Sequence, residues 1–121
     1  MALLALESSG AQASVAVGVG DQLRAEVVIE DSLQPAAGLI PAVDKALREA
    51  QLTRTELNGV VVGEGPGSFT GVRVAAATGK GLAQALTVPL WAVPSLLAAA
   101  LATEVGSVRY VLFDARADRV Y

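Results

Sequence analysis

Two apolar runs and one stretch that alternates apolar with polar positions occupy the first thirty residues, and this pattern predicts three β-strands. Residues 3–6 form a short apolar run that ends at a turn of serine and glycine, and residues 14–19 form a second run rich in valine and alanine. Residues 23–30 alternate apolar with charged side chains, which is typical of a strand with one exposed face. Because the connections are short, we expect an antiparallel meander with the third strand at an edge.

From residue 36 onward the apolar positions recur at helical spacing, interrupted by short buried runs. A helix over residues 36–50 would have Asp44 and Lys45 on its solvent-exposed face, opposite an apolar stripe. That helix starts near Pro35 or Pro41, because proline fits only the first turn of a helix. The elements predicted after it are a strand at 58–63, a helix at 69–86, a strand at 90–93, a helix at 95–103, a strand at 108–113 and the start of another strand after residue 116.

This order of elements predicts an α/β fold. A meander that leads into βα units implies a mixed five-stranded sheet, with antiparallel strands first, parallel strands after them and helices packed on the sheet. The ribonuclease H-like or actin-like ATPase half-domain is the architecture that fits this order. We therefore expect residues 1–121 to form a single half-domain.

The helix at 69–86 carries two neighbouring apolar stripes. A helix that packs on a sheet from one side needs a single stripe of about 100°, whereas here apolar residues cover most of the circumference. Two interpretations stay open: a central helix buried inside its own domain, or a helix that meets another subunit through the second stripe. The residues predicted for such an interface are Val72, Arg73, Ala76, Gly79, Ala83 and Leu86.

Composition and charge exclude several kinds of chemistry. The 121 residues contain no cysteine and no histidine, so they offer no disulfide, thiolate metal site, Ser-His-Asp triad or imidazole base. The formal charge of −3 argues against a domain that binds a nucleic-acid backbone by itself.

The stretch between Lys80 and Glu104 contains no charged residue and is long enough to raise the question of a transmembrane helix. Pro89 and Pro94 divide it, and we predict a helix, a short strand and a second helix instead. The N-terminus lacks the basic region of a signal peptide. We therefore expect a cytoplasmic domain with no membrane contact.

A glycine-rich turn at residues 63–71 leads into the long helix. Glycine permits backbone angles and close approaches that other residues do not, serine and threonine can cap the helix, and free amides at a helix start bind anions. An ordinary tight strand-to-helix turn is the alternative. No Gly-Lys-Ser/Thr sequence follows, and the glycine spacing differs from GxGxxG. The residues predicted for a phosphate-type cofactor site are Gly65, Gly67, Ser68 and Thr70.

Four segments of the chain carry a resemblance to a known family. Residues 65–73 read GPGSFTGVR, which is similar to the GPGSFTGLR motif of the bacterial TsaB accessory proteins of tRNA threonylcarbamoyladenosine biosynthesis (YeaZ type, glycoprotease-like). Residues 4–9, LALESS, resemble the family's LAIDTS strand and turn, and residues 39–44, LIPAVD, resemble its LLPLID helix. The DAR of residues 114–116 and the VY of residues 120–121 complete the set, in the family's order.

The resemblance implies an actin-like ATPase fold and an accessory, non-catalytic role. Members of the family help a catalytic paralogue attach a threonylcarbamoyl group to adenosine 37 of tRNAs that read codons beginning with A, and an ATPase subunit completes the set. It implies no catalytic residue, no metal ligand and no cofactor for this chain alone, since ATP and the divalent metal belong to the partner subunits. It further implies a homodimer when the chain is alone, and contact with tRNA only through the complex.

The chain also departs from the family pattern. Glu7 stands where the family has Asp, no histidine precedes residues 39–41, and Arg119 stands where an acidic residue is common. Family members are about twice as long. We therefore expect residues 117–121 to begin a second half-domain whose remainder is absent from this sequence.

Two enzymatic alternatives stay open beside the accessory role. Glu7, Glu64 and Asp114 each follow a predicted strand, and if those strand ends converged, three carboxylates would hold Mg²⁺ for ribonuclease H-like nuclease chemistry. The second alternative is an actin-fold phosphotransferase, which needs two half-domains that close over a nucleotide.

Overall fold

A mixed β-sheet forms the frame of the protein in the computed structural model, which describes residues 1–30, 35–102, 106 and 108–121. Within these residues five strands form one sheet in the order β3-β2-β1-β4-β5. The meander strands pair antiparallel, whereas β1 with β4 and β4 with β5 pair parallel. This topology confirms the predicted fold class. The strands are β1 (Ala2–Glu7), β2 (Ala13–Val19), β3 (Gln22–Ile29), β4 (Gly59–Gly63) and β5 (Leu90–Val93).

The core lies on one face of this sheet. Leu4 pairs with Val17 on one side and with Val60 on the other, so the three side chains share a face, and all three are fully buried. Helix α1 (Pro35–Glu49) covers β2 and β3, and helix α2 (Phe69–Leu86) covers β4. The alternation of the strands thus places every second side chain under a helix.

Helix α1 follows the amphipathic pattern of its sequence. Its buried positions are Leu39, Ala42, Val43, Ala46 and Leu47. They recur at intervals of three and four, while Lys45 and Arg48 are exposed. Pro41 lies inside the helix, within its first two turns. The start near Pro35 agrees with the expectation that proline occupies the first turn.

Helix α2 packs on the sheet through residues with little or no side chain. Its buried residues are Gly71, Ala75, Gly79 and Ala83, spaced four apart along a single line. A Cβ placed on Gly79 would overlap the Cγ1 of Val62 and lie 3.3 Å from the Cδ1 of Leu90. The helix backbone therefore sits directly against the side chains of β4 and β5.

Two predictions about the end of the chain need correction. Residues 108–113 form no strand of the sheet, because they pair with none of its five strands. At their end Tyr121 N donates to Phe113 O, and Asp114 forms an isolated bridge with Val120. Val108, Tyr110 and Leu112 are exposed, whereas Val111 and Phe113 are half-buried. Helix α3 spans Ser95–Leu101, shorter than predicted, and Thr103 lies outside the described residues.

None of the helices in the described ranges is long and apolar enough to cross a membrane. The uncharged stretch after Lys80 instead consists of the end of α2, strand β5 and α3. Pro89 and Pro94 lie at the boundaries between these elements, as the sequence predicts.

The contact between α2 and the sheet predicts opposite effects for two glycines of the same helix. Gly79→Ala should lower the free energy of unfolding by about 1–3 kcal/mol, because the added methyl group meets the stiff Val62 side chain. Gly81→Ala should raise it by about 0.5–1 kcal/mol, because Gly81 has open space around it and alanine favours the helix. Urea unfolding followed by circular dichroism measures both; stabilisation by both substitutions would contradict the packing described here.

Candidate functional site

The glycine turn between β4 and α2 is held from one side by the start of α3. Gly65 has a φ of +87°, a conformation that favours glycine. Its amide donates to Ser95 Oγ at 3.0 Å, and Ser95 N donates back to the carbonyl of Gly65 at 2.8 Å. Ser95 is 2% exposed, so this reciprocal pair is a buried connection between the turn and α3.

From the other side, the turn after β1 holds the start of α2. Ser68 N donates to Ser9 O at 2.7 Å, and Ser8 Oγ donates to Gly71 O at 2.5 Å. A Cβ on Gly67 would lie 2.7 Å from the Cβ of Ser9, and one on Gly71 would overlap the carbonyl of Ser8. Glycine is needed at both positions because the two backbones are in contact.

The first turn of α2 faces an open cavity of about 910 Å³. Ser68 caps the helix by accepting a hydrogen bond from Gly71 N at 3.2 Å. The amides of Phe69 and Thr70 donate to no other residue within the described ranges. Unpaired amides at a helix start attract anions, so the cavity floor has the polarity that a phosphate group requires. The cavity is lined by Ser9, Gly10, Ala11, Gly67, Ser68, Phe69, Thr70, Leu112, Phe113, Asp114, Ala115, Arg116 and Tyr121.

The four residues predicted for a phosphate-type site have different environments. Gly67, Ser68 and Thr70 line the cavity, whereas Gly65 is buried beneath it and engaged with Ser95. Asp114 and Arg116 also line the cavity, and Asp114 Oδ1 accepts a hydrogen bond from Arg116 N at 2.8 Å.

The three carboxylates considered for a magnesium site do not form one. Glu7 Oε1 accepts a hydrogen bond from Ser9 N at 2.7 Å, and its carboxylate lies over Gly63. Glu64 is exposed, and Asp114 accepts from Arg116 N. Among the described residues no group of three carboxylate, cysteine or histidine side chains is arranged to hold a metal ion. The nuclease alternative requires these three carboxylates to converge on one metal ion, and that prediction is therefore wrong for the residues that the structure describes.

The residues predicted for an interface divide between two faces of α2. Gly79 and Ala83 are buried against the chain's own sheet, Val72 and Leu86 are half-buried, and Arg73 and Ala76 are exposed. The buried residues Gly71, Ala75, Gly79 and Ala83 come from both of the stripes read from the sequence, so neither stripe as a whole faces inward or outward.

The outward surface of α2, called here the outer face, remains open. It consists of Phe69, Arg73, Ala76, Ala77, Lys80, Gly81 and Gln84. The Phe69 ring is 74% exposed, and the guanidinium carbon of Arg73 lies 5.2 Å from its centroid.

Known families and proteins match this chain over most or all of its length. The profile of the family described as "TsaD: tRNA N6-adenosine threonylcarbamoyltransferase" matches residues 32–121. The chain belongs to this family. Within it, the chain is of the TsaB (YeaZ) type: it is 33% identical, over its entire length, to the tRNA threonylcarbamoyladenosine biosynthesis protein TsaB of Bacillus subtilis.

Solved structures of this type have the same fold. YeaZ from Pseudomonas aeruginosa superimposes with a TM-score of 0.73 at 36% identity, over 79% of this chain and 46% of that one. The chain covers 53% of the Bacillus subtilis protein, so it spans about half the length of these relatives and corresponds to their N-terminal half.

More distant structures share the fold alone. A ROK hexokinase from Thermus thermophilus, at 23% identity, gives a TM-score of 0.54 over 84% of this chain and 38% of that one. RuvC from the same organism, at 20% identity, gives a TM-score of 0.52 over 79% of this chain and 65% of that one. These likenesses confirm the actin-like, ribonuclease H-like architecture that the order of elements predicts.

Sequence reasoning missed the serines that hold the glycine turn. The sequence pattern places Ser8 in a turn and Ser95 in a short apolar helix, and assigns neither serine a contact with the glycine turn. The available signal was weak: a serine directly after Pro94, at the start of a short helix without charge. The partner of that serine, Gly65, lies thirty residues earlier and is identified only by the fold.

The connection through Ser95 predicts a measurable loss of stability. Ser95→Ala leaves the buried Gly65 amide without an acceptor and should lower the free energy of unfolding by about 1–3 kcal/mol. Thr70→Ala is the matched control, because Thr70 is exposed in the same region, and should change it by less than about 0.5 kcal/mol. Equal effects of the two substitutions in urea titrations would show that the reciprocal pair has no stabilising role.

Proposed function

We propose that this chain is part of a non-catalytic accessory subunit in tRNA threonylcarbamoyladenosine biosynthesis. It would support a catalytic paralogue that modifies adenosine 37 in tRNAs reading codons that begin with A. The observation that carries the proposal is the identity of 33% over the entire chain to a protein named for this biosynthesis. The family profile, which describes a threonylcarbamoyltransferase, points to the same modification.

An accessory subunit acts through its surface, and the outer face of α2 is the surface that supports the proposal. Its helix is fixed against the sheet by Gly71, Ala75 and Gly79, so it presents a rigid face to a partner. Ala76 is exposed on that face, and its small side chain permits close approach of a second helix. Arg73 and the half-buried Val72 and Leu86 complete the part of the predicted interface that a partner can reach.

The proposed partners are the catalytic paralogue and an ATPase subunit, with tRNA reached through the complex. A second copy of the chain would occupy the outer face when the paralogue is absent. We place this assembly in the cytoplasm, where tRNA is modified. ATP and the divalent metal belong to the partner subunits in this proposal, and the glycine turn serves chiefly to position α2.

Substitution of Ala76 tests the proposed interface. In the complete protein, Ala76→Arg should weaken association with the catalytic paralogue by at least about tenfold, because the long side chain prevents close helix packing. Its circular dichroism should stay native, since Ala76 is exposed. Calorimetric titration with the paralogue measures the effect.

The control for that titration is Gln22→Arg, which places the same side chain on the exposed edge of β3. It should leave the affinity unchanged. If the wild-type protein does not bind the paralogue, the proposed function is wrong; if the two variants bind equally well, the location on α2 is wrong.

A further inference from the structure

The charges of this chain are distributed unevenly between its helices and the rest. Helices α1 and α2 together carry four basic residues and two acidic ones, whereas the other segments carry five basic and ten acidic residues. The helix layer is therefore positive on a chain whose net charge is −3. The basic residues of the layer are Lys45, Arg48, Arg73 and Lys80.

The two carboxylates of this layer already have partners. Asp44 Oδ1 lies 2.5 Å from Arg54 Nη2, and Glu49 Oε1 lies 3.9 Å from Lys45 Nζ. Helix α2 contains no acidic residue at all. Neither Arg73 nor Lys80 forms an ion pair with any residue that the structure describes.

The basic residues of α2 lie along the middle of its outer face. Arg73 and Lys80, with the neutral polar Gln84 beside them, are called here the basic strip. They follow one another at intervals of seven and four residues, which align on one side of a helix. All three are exposed, as are Ala76 and Ala77 on either side of the strip. A partner helix can therefore come close enough for its carboxylates to reach both cations.

We propose that the basic strip makes the outer face select a partner helix that carries aspartate or glutamate over a second copy of this chain. The inference rests on the proposed function and specifies the chemistry of the partner surface. In a two-fold dimer the same patch faces itself, so antiparallel packing of the two α2 helices would set Arg73 of one copy against Lys80 of the other, with no free carboxylate on either α1 or α2. An acidic partner would neutralise the same charges.

The two assemblies must then respond to salt in opposite directions. Salt screens attraction and repulsion alike. The complex with an acidic partner should weaken as the salt concentration rises, whereas self-association through the same face should strengthen.

The surroundings of the strip favour a protein partner over RNA. Binding to a phosphate backbone uses many basic contacts, and the outer face of α2 offers two, set among alanine and glycine. A face of this kind is suited to close helix packing with a few complementary charges.

The test uses the complete protein and the catalytic paralogue from the same organism, with Lys80→Glu as the variant and Arg24→Glu as the control. Arg24 is exposed on β3, away from α2, and its substitution changes the net charge equally. Lys80→Glu should weaken binding to the paralogue by about tenfold in low salt and strengthen self-association, because it brings opposite charges together in the dimer. Calorimetry and sedimentation velocity at low and high salt measure both.

Three outcomes would overturn the inference while leaving the accessory function intact. The first is that the paralogue complex forms but is affected equally by Lys80→Glu and Arg24→Glu. The second is that both assemblies respond to salt in the same direction. The third is that Lys80→Glu abolishes binding of unmodified tRNA and leaves paralogue binding unchanged. If the wild-type protein and the paralogue do not associate at any salt concentration, both the inference and the proposed function are wrong.

Discussion

The close approach of α2 to the sheet is the contact on which the rest of the structure depends. Gly71 and Gly79 have no side chain between the helix backbone and its neighbours, so the backbone lies directly against Ser8 at one glycine and against Val62 of β4 at the other. The loss of helix propensity at such glycines, about 1 kcal/mol each, is offset only if the packing that they permit is tight. The same proximity brings the first turn of α2 against the carbonyls of Ser8 and Ser9, and thereby fixes the glycine turn.

This arrangement explains, without any ligand, why glycine occupies positions 65, 67 and 71 of the turn. Gly65 takes a left-handed conformation and pairs with Ser95, while Gly67 and Gly71 accommodate the turn after β1. What the motif leaves free is a pair of amides at a helix start and an outer helix face. A rigid helix with an accessible face is what an accessory subunit needs, and the similarity to TsaB of Bacillus subtilis supports the same function.

Much of the fold follows from local pattern, and the departures have a common physical cause. The alternation in β1 to β3 and the helical spacing in α1 and α2 are local properties, so the sheet and both long helices agree with the sequence to within a residue or two. Residues 108–113 read VRYVLF, which is typical of a strand, yet they pair with no strand of the described sheet, although β5 lies at its edge. Local pattern does not decide whether such an edge is occupied. Which positions of α2 turn inward is likewise decided by packing: Gly79 and Ala83 are buried, while Ala76, from the same apolar stripe, is exposed. The serine contacts around the turn span up to 63 residues, a separation that local pattern does not reveal.

Reconstitution of tRNA modification measures the central claim most directly. Unmodified tRNA that reads a codon beginning with A is incubated with threonine, bicarbonate, ATP and the other proteins of the biosynthesis, with or without the complete form of this protein. Mass spectrometry of the digested tRNA then quantifies threonylcarbamoyladenosine. The modified nucleoside is expected to form only when this protein is present, and this protein alone is expected to produce none. Equal formation without it, or formation by this protein alone, would contradict a non-catalytic accessory role.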